Sequence, residues 1–273
     1  METRYPAVAG RFYPRDPTTL RADVQSYLSP GESRMNEAKI SCLGCIVPHA
    51  GYIYSGHVAG AVFSKINIPR NCFVIGPNHT GHGRPLSIMS EGSWETPLGA
   101  VSIASELANA LKDAFSPLTE NSEAHYAEHA IEVELPFLQL LQPNLAFVPI
   151  ALGTGRFELL EGLGRALAQV IAAQTEPVLI VASSDMNHYE SDEITRIKDF
   201  KAIERILSLD ARGLFDVVKK ENISMCGFGP VITMLSAAKQ LGAASAELAE
   251  YATSGDVSGD REMVVGYAGV MVK

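Results

Sequence analysis

The chain carries no basic run: 22 lysines and arginines are outnumbered by 31 acidic residues, for a formal net charge of −9. Nucleic acid and anionic membrane surfaces both recruit clustered cations, so neither is an expected partner. The opening METRYPAVAGRFYPRDP lacks the basic-then-apolar order of a secretory signal. No window approaches the roughly 18 uninterrupted apolar residues of a spanning helix. Four cysteines in 273 residues do not make a disulfide framework, and a reduced, cytoplasmic protein is expected. Neither G-x-x-x-x-G-K-[ST] nor G-x-G-x-x-G occurs, which removes support for nucleotide phosphate binding. G-x-S-x-G is missing too, and Ser183-Ser184-Asp185 lacks the glycine-flanked elbow of a hydrolase serine. There is no internal repeat, low-complexity tract or Pro/Ser-rich linker.

What remains is an ordinary globular composition, 47% hydrophobic and 19% charged, able to bury a sizeable core. CLGCIV (42–47), CFVIG (72–76), LSIM (86–89), LAFVPIAL (145–152), VLIVAS (178–183) and MVVGYAGVMV (263–272) read as strands. Their near-continuous hydrophobicity predicts burial on both faces. Between them DPTTLRADVQSYL, with Asp16 as N-cap and Pro17 at the first helical position, reads as a helix. So do SGHVAGAVFSKI, SEAHYAEHAIEVELPFLQLLQ, RFELLEGLGRALAQVIAAQ, ITRIKDFKAIERILSL and GPVITMLSAAKQLG. The alternation predicts one α/β domain over 1–273, a central mixed sheet with helices on both faces. LSIM and VSI are expected to form a hairpin-like excursion from it.

In open α/β sheets, sites form where strands exit at their carboxyl ends, and three exits share a pattern. CIV is followed by Pro48-His49-Ala50-Gly51, CFVIG by Pro77-Asn78-His79-Thr80-Gly81-His82, and VLIVASS by Asp185-Met186-Asn187-His188. One loop histidine is weak evidence, but three at equivalent positions point to one crevice. Imidazoles converging there make either a metal site or an acid/base pair. His82 sits in a glycine-flanked turn, and His57 lies inside a helical run; both are weaker candidates. Cys226, in SMCGFGPVITML, precedes a helix whose dipole would stabilise a thiolate, as ligand or nucleophile. Cys42 and Cys45 form a lone C-x-x-C within a strand, without the second pair that a zinc site needs. In SEAHYAEHAIEVELPFLQ, His125 and His129 are spaced to share a helix face, as are Glu128 and Glu132. The run Glu128-His129 with Glu132 is placed to orient imidazoles from behind. YATSGDVSGDREMVVGYAG has ordinary turn chemistry and could line a pocket.

Taken in order, VPHAGYIYSG, IGPNHTGHG, WETPLG, EHAIEVELPFLQ, ASSDMNHYE, CGFGPV and VVGYAG resemble the Memo family, whose prokaryotic members are called AmmeMemoRadiSam system protein B. The resemblance spans essentially the whole chain. It implies a fold similar to the class III extradiol ring-cleaving dioxygenases, which hold Fe(II) with two histidines and a carboxylate and use a further histidine as acid/base. By position, His49 and His79 then look like the histidine ligands, His188 like the acid/base, and Asp185 lies in the same pocket. Cys226 stands where those enzymes have their ligating glutamate. His129, Glu132, Tyr52, Tyr54 and His82 are expected behind the ligands or beside the substrate. One metal ion is implied, iron by analogy, with copper or zinc as the softer ions that a thiolate favours.

Two function classes follow. One is a metal-dependent oxidoreductase acting on a small organic or peptide-borne substrate. The other is a non-enzymatic module that binds a peptide or partner and works with a radical SAM protein. A third, less supported, is thiol or acyl chemistry on Cys226 as nucleophile.

Overall fold

The computed structural model describes residues 2–29 and 39–273. Among the described residues, twelve strands form one mixed sheet: β1 (Thr3–Arg4), β2 (Gly44–Val47), β3 (Asn71–Pro77), β4 (Leu86–Ile88), β5 (Ser93–Thr96), β6 (Gly99–Ile103), β7 (Thr119–Glu120), β8 (Ala146–Leu152), β9 (Val178–Ser183), β10 (His188–Glu190), β11 (Ala246–Thr253) and β12 (Val264–Val272). Their order is β1-β5-β6-β8-β3-β9-β2-β12-β10, with β11 paired to β12, and β4 to β8 and β7. From β6 to β2 the neighbours run parallel, and β12 returns antiparallel beside β2.

Every residue of β2 and β9 is buried, and side-chain alternation divides them between two cores. Ile46, Phe73, Ile75 and Ile180 face the core under the helices Phe157–Ala172 and Phe228–Gln240. Cys45, Val47, Val74 and Val181 face the core under Pro17–Leu28, Tyr52–Phe63 and Leu135–Leu141. This two-sided cover explains the unbroken apolar runs. Asp16 caps the first helix by accepting from the Thr19 N–H, with Pro17 at its start, as its residue types dictate.

Two expectations are corrected. The hairpin is made by SWET and GAVSI, β5 with β6, while Leu86–Ile88 lies antiparallel to β8. The stretch 122–142 is not one helix: a turn Glu123–Tyr126 is followed by irregular chain, a 3₁₀ turn Glu132–Glu134 and then Leu135–Leu141. Its seven positions from Glu128 to Glu134 carry three buried glutamates. Cys42 precedes β2, and only Cys45 of the C-x-x-C enters it.

Candidate functional site

The parallel strands β3, β9 and β2 are adjacent, so their carboxyl ends open at one place. His79 follows the end of β3, Asp185 the end of β9 and His49 the end of β2, each by two residues. The backbone N–H of His49 donates to Asp185 Oδ1 at 2.8 Å, stitching the two exits together. His49 and Asp185 are buried and His79 is exposed.

The irregular segment after Tyr126 adds a third imidazole. His49, His79 and His129 each offer a ligand atom within 4.8 Å of the others, a group able to hold a metal ion. The His79 and His129 rings stack, with centroids 4.7 Å apart and planes 20° apart, and His49 stands edge-on to both. Residues 125 and 129 do not share a face: His125 is buried against Trp94, away from this cluster.

Glu128 holds the His79 ring and lies beside that of His129. Its Oε1 lies 2.9 Å from His79 Nδ1 and 3.3 Å from His129 Nδ1, and it also accepts the His129 and Ala130 N–H groups. Its Oε2 accepts the N–H of His79. Burial pushes this carboxyl up, but the His79 bond and charge and the Ala130 N–H outweigh it, holding the group down at about 2. A carboxylate can only accept, so the His79 Nδ1 that bonds it carries a hydrogen and leaves its Nε2 lone pair outward. His79 shows the reciprocal effect: burial pulls it down, yet the Glu128 bond and charge leave it raised. His129 is lowered to about 4 by burial and by neighbouring His49, and His49 is driven well down by burial, then by His79. Among neutral imidazoles, lone pairs remain free for ligation.

Cys226 comes from the opposite wall, just before the helix Phe228–Gln240. Its Sγ lies 3.2 Å from His49 Nε2. Gly227 makes this approach feasible, because a side chain there would collide with the Ser183 carbonyl and the Ser184 side chain. Burial, then the Asp185 charge, push the thiol well above its ordinary range. That is opposite to what an activated nucleophile requires, so the nucleophile expectation loses its electrostatic basis.

His188 lies along the same cleft, close enough for its charge to act on Asp185 and His49. Its Nδ1 is 3.0 Å from the Ser224 carbonyl, which can only accept, so Nδ1 carries the hydrogen and Nε2 is the free atom. Ser224 Oγ also accepts the His188 N–H at 2.7 Å. Asp185 is raised, chiefly by burial against the opposing charge of His188. Beside it Tyr189 takes a left-handed φ of 60° while 69% exposed, an uncommon conformation for a bulky residue.

The remaining expected residues separate. Glu132 does not orient the imidazoles: it pairs with Arg4, accepts the N–H groups of Ala7 and Val8, and bonds Tyr13. The reason is the break in the expected helix, which hands imidazole orientation to Glu128. Tyr52 is a core residue whose hydroxyl donates to the Val133 carbonyl, and Tyr54 is exposed. His82 is exposed at the loop tip, where its main chain bonds Asn78 and Thr80. Residue-pattern reasoning passed over Ser183 and Glu134 as site groups. Ser183 Oγ lies 2.8 Å from His49 Nδ1 and 2.9 Å from Glu134 Oε1. The only trace in the sequence is a hydroxyl ending an apolar strand and a lone glutamate in VELPFL.

Comparisons with known proteins agree with this architecture. The Memo-like protein family profile matches residues 4–271. A MEMO1 family protein of Methanopyrus kandleri is 40% identical over 279 residues, covering 99% of each chain. One from Caldivirga maquilingensis is 43% identical, again with 99% of both covered. A solved structure of an uncharacterized protein from Escherichia coli K12 shares the fold, with a TM-score of 0.52 at 12% identity, covering 84% of this chain and 98% of that one. From near-complete coverage by the family profile and by relatives at this identity, it follows that the chain belongs to the Memo family.

Proposed function

We propose that the strand-exit cleft is a metal centre of an oxidoreductase, with His49, His79 and Cys226 as the ligands. The observation that carries this reading is the convergence of three imidazoles, with the Cys226 thiol against His49 and with Glu128 and Ser183 on the rear nitrogens of His79 and His49. Bond lengths of about 2.0–2.1 Å to nitrogen and 2.3 Å to sulfur, at a tetrahedral angle, separate two such donors by roughly 3.5 Å. The 3.2 Å between Cys226 Sγ and His49 Nε2 fits that spacing. His129 is assigned the neighbouring place, facing substrate, because its ring lies flat on His79.

A bound cation would lower the thiol of Cys226 and polarise an oxygen or redox-active substrate. His188 Nε2 serves as general acid/base, its tautomer set by Ser224. Asp185 ties the His49 backbone in place and orients His188 or substrate. The substrate class is a small organic or peptide-borne group, and the ion is iron, with copper or zinc as the alternatives a thiolate favours.

Elemental analysis of anaerobically purified protein tests the ligand set. Wild type and His129→Ala should hold near-stoichiometric metal, whereas His49→Ala and Cys226→Ser should lose it. Loss in His129→Ala with retention in Cys226→Ser would replace the thiol by the third imidazole. Metal-free wild type with folded variants would sink the metal-centre reading. The exposed Tyr189 and Tyr54 support a second reading, a module that binds a peptide or a radical SAM partner without turnover.

A further inference from the structure

Glu134 is 1% exposed, and no step proposed above uses it. It ends the 3₁₀ turn before Leu135–Leu141, and its Oε1 lies 2.9 Å from Ser183 Oγ. The same hydroxyl meets the Ala130 carbonyl at 2.7 Å and His49 Nδ1 at 2.8 Å. One oxygen therefore has three close neighbours, each of which can donate or accept only in certain forms.

The proton count has one solution that makes all three bonds. A hydroxyl holds one hydrogen and two lone pairs, and a backbone carbonyl can only accept. Ser183 must then give its hydrogen to Ala130, and both remaining neighbours must donate to its lone pairs. His49 donates if Nδ1 is protonated. Glu134 donates only as an undissociated acid. An ionised Glu134 would claim the Ser183 hydrogen for itself and leave two oxygen lone pairs facing each other at the Ala130 contact.

We propose that Glu134 is a neutral carboxylic acid that donates to Ser183, and that this junction locks His49 in the Nδ1–H tautomer with Nε2 presented to the cleft. Both residues are positioning groups: they act on the site through His49. Burial favours the same state, pushing the Glu134 carboxyl well above the usual range, with the Asp185 charge adding to it against the Ser183 bond. No cation is hydrogen-bonded to Glu134 among the described residues, whereas Glu128, six positions earlier, bonds the His79 imidazole and backbone N–H groups and stays ionised. The proposal takes from the metal-centre reading only the role of His49, and the proton positions stand with or without an ion.

Infrared difference spectra of the full chain at neutral pH provide the first test. Wild type minus Glu134→Gln should show the carbonyl stretch of a protonated carboxylic acid. The variant should fold, since a glutamine amide also donates to Ser183. Nitrogen-15 spectra of chelator-treated protein provide the second test. His49 should appear as the Nδ1–H tautomer in wild type and in Glu134→Gln, and should shift toward Nε2–H in Ser183→Ala. A carboxylate signature at Glu134, an Nε2–H imidazole in wild type, or an unchanged tautomer in Ser183→Ala would each overturn the proposal. The two readings fail separately: a metal-free protein with both signatures refutes the metal centre alone. Bound metal with an ionised Glu134 refutes this junction alone.

Discussion

Around the turn Glu132–Glu134, two neighbouring regions bury carboxyl groups in different company. On the N-terminal side Glu132 faces Arg4, the Ala7 and Val8 N–H groups and the Tyr13 hydroxyl, while the Arg4 guanidinium lies 4.4 Å over Trp94. On the cleft side Glu134 faces a serine hydroxyl. Depth from solvent is the same for both, so depth cannot decide what each does. Partners decide: cations and backbone donors favour the anion, and a hydroxyl in an apolar setting favours the acid. One region fastens the N-terminal segment to the body, and the other meets the serine hydroxyl that bonds His49.

The largest expected effect comes from breaking the N-terminal pair. Arg4→Met leaves Glu132 buried without its cation, and a loss of about 3–5 kcal/mol in denaturant unfolding is expected. A loss near zero would show that the N–H donors alone satisfy Glu132. Next in size, Glu128→Gln keeps an acceptor for His79 but removes the charge behind the His79 ring. Metal affinity should fall about 10- to 100-fold, read by competition with a chelator, alongside a loss of stability from the N–H groups that an amide nitrogen cannot accept. A change confined to stability would make Glu128 structural only.

The effect of Asp199, another buried carboxyl, is read only as a pH dependence and sharpens the comparison. Asp199 accepts the Asn187 N–H and the Tyr251 hydroxyl, and burial pushes it from 3.8 to about 7. Its folded state binds the proton more tightly than the unfolded chain does. The contribution is therefore full below pH about 4 and is lost as pH rises through about 7. Asp199→Asn should lack this decline, so its melting temperature relative to wild type should rise across that window. A parallel pair of curves would mean that Asp199 stays ionised.

Much of this was legible in the residues. The apolar runs located six of the twelve strands among the described residues, because a strand covered on both faces must be apolar at consecutive positions, whereas the half-exposed β11 has no such run. Pro48, Pro77 and the glycines after them marked the exits, and strand-exit topology placed His49, His79 and Asp185 at one edge. Asp16 and Pro17 announced a helix start through local capping chemistry.

What periodicity could not reveal is where a regular pattern stops. The apolar spacing of 122–142 fits a helix; Pro136 marks locally where Leu135–Leu141 begins, but the irregular chain before it is held by bonds from far away: Arg4 to the Glu128 and His125 carbonyls, and Tyr52 to Val133. Such contacts depend on two distant segments meeting, which no window of sequence contains. The same holds for Ser183, whose three partners come from residues 49, 130 and 134. Sequence alone determined that His49, His79 and Asp185 follow the ends of neighbouring strands at one edge of the sheet, through local propensity and side-chain periodicity. Only the tertiary structure decided which glutamate serves the imidazoles and which nitrogen each ring presents, because those follow from hydrogen bonds between segments separated by dozens of residues.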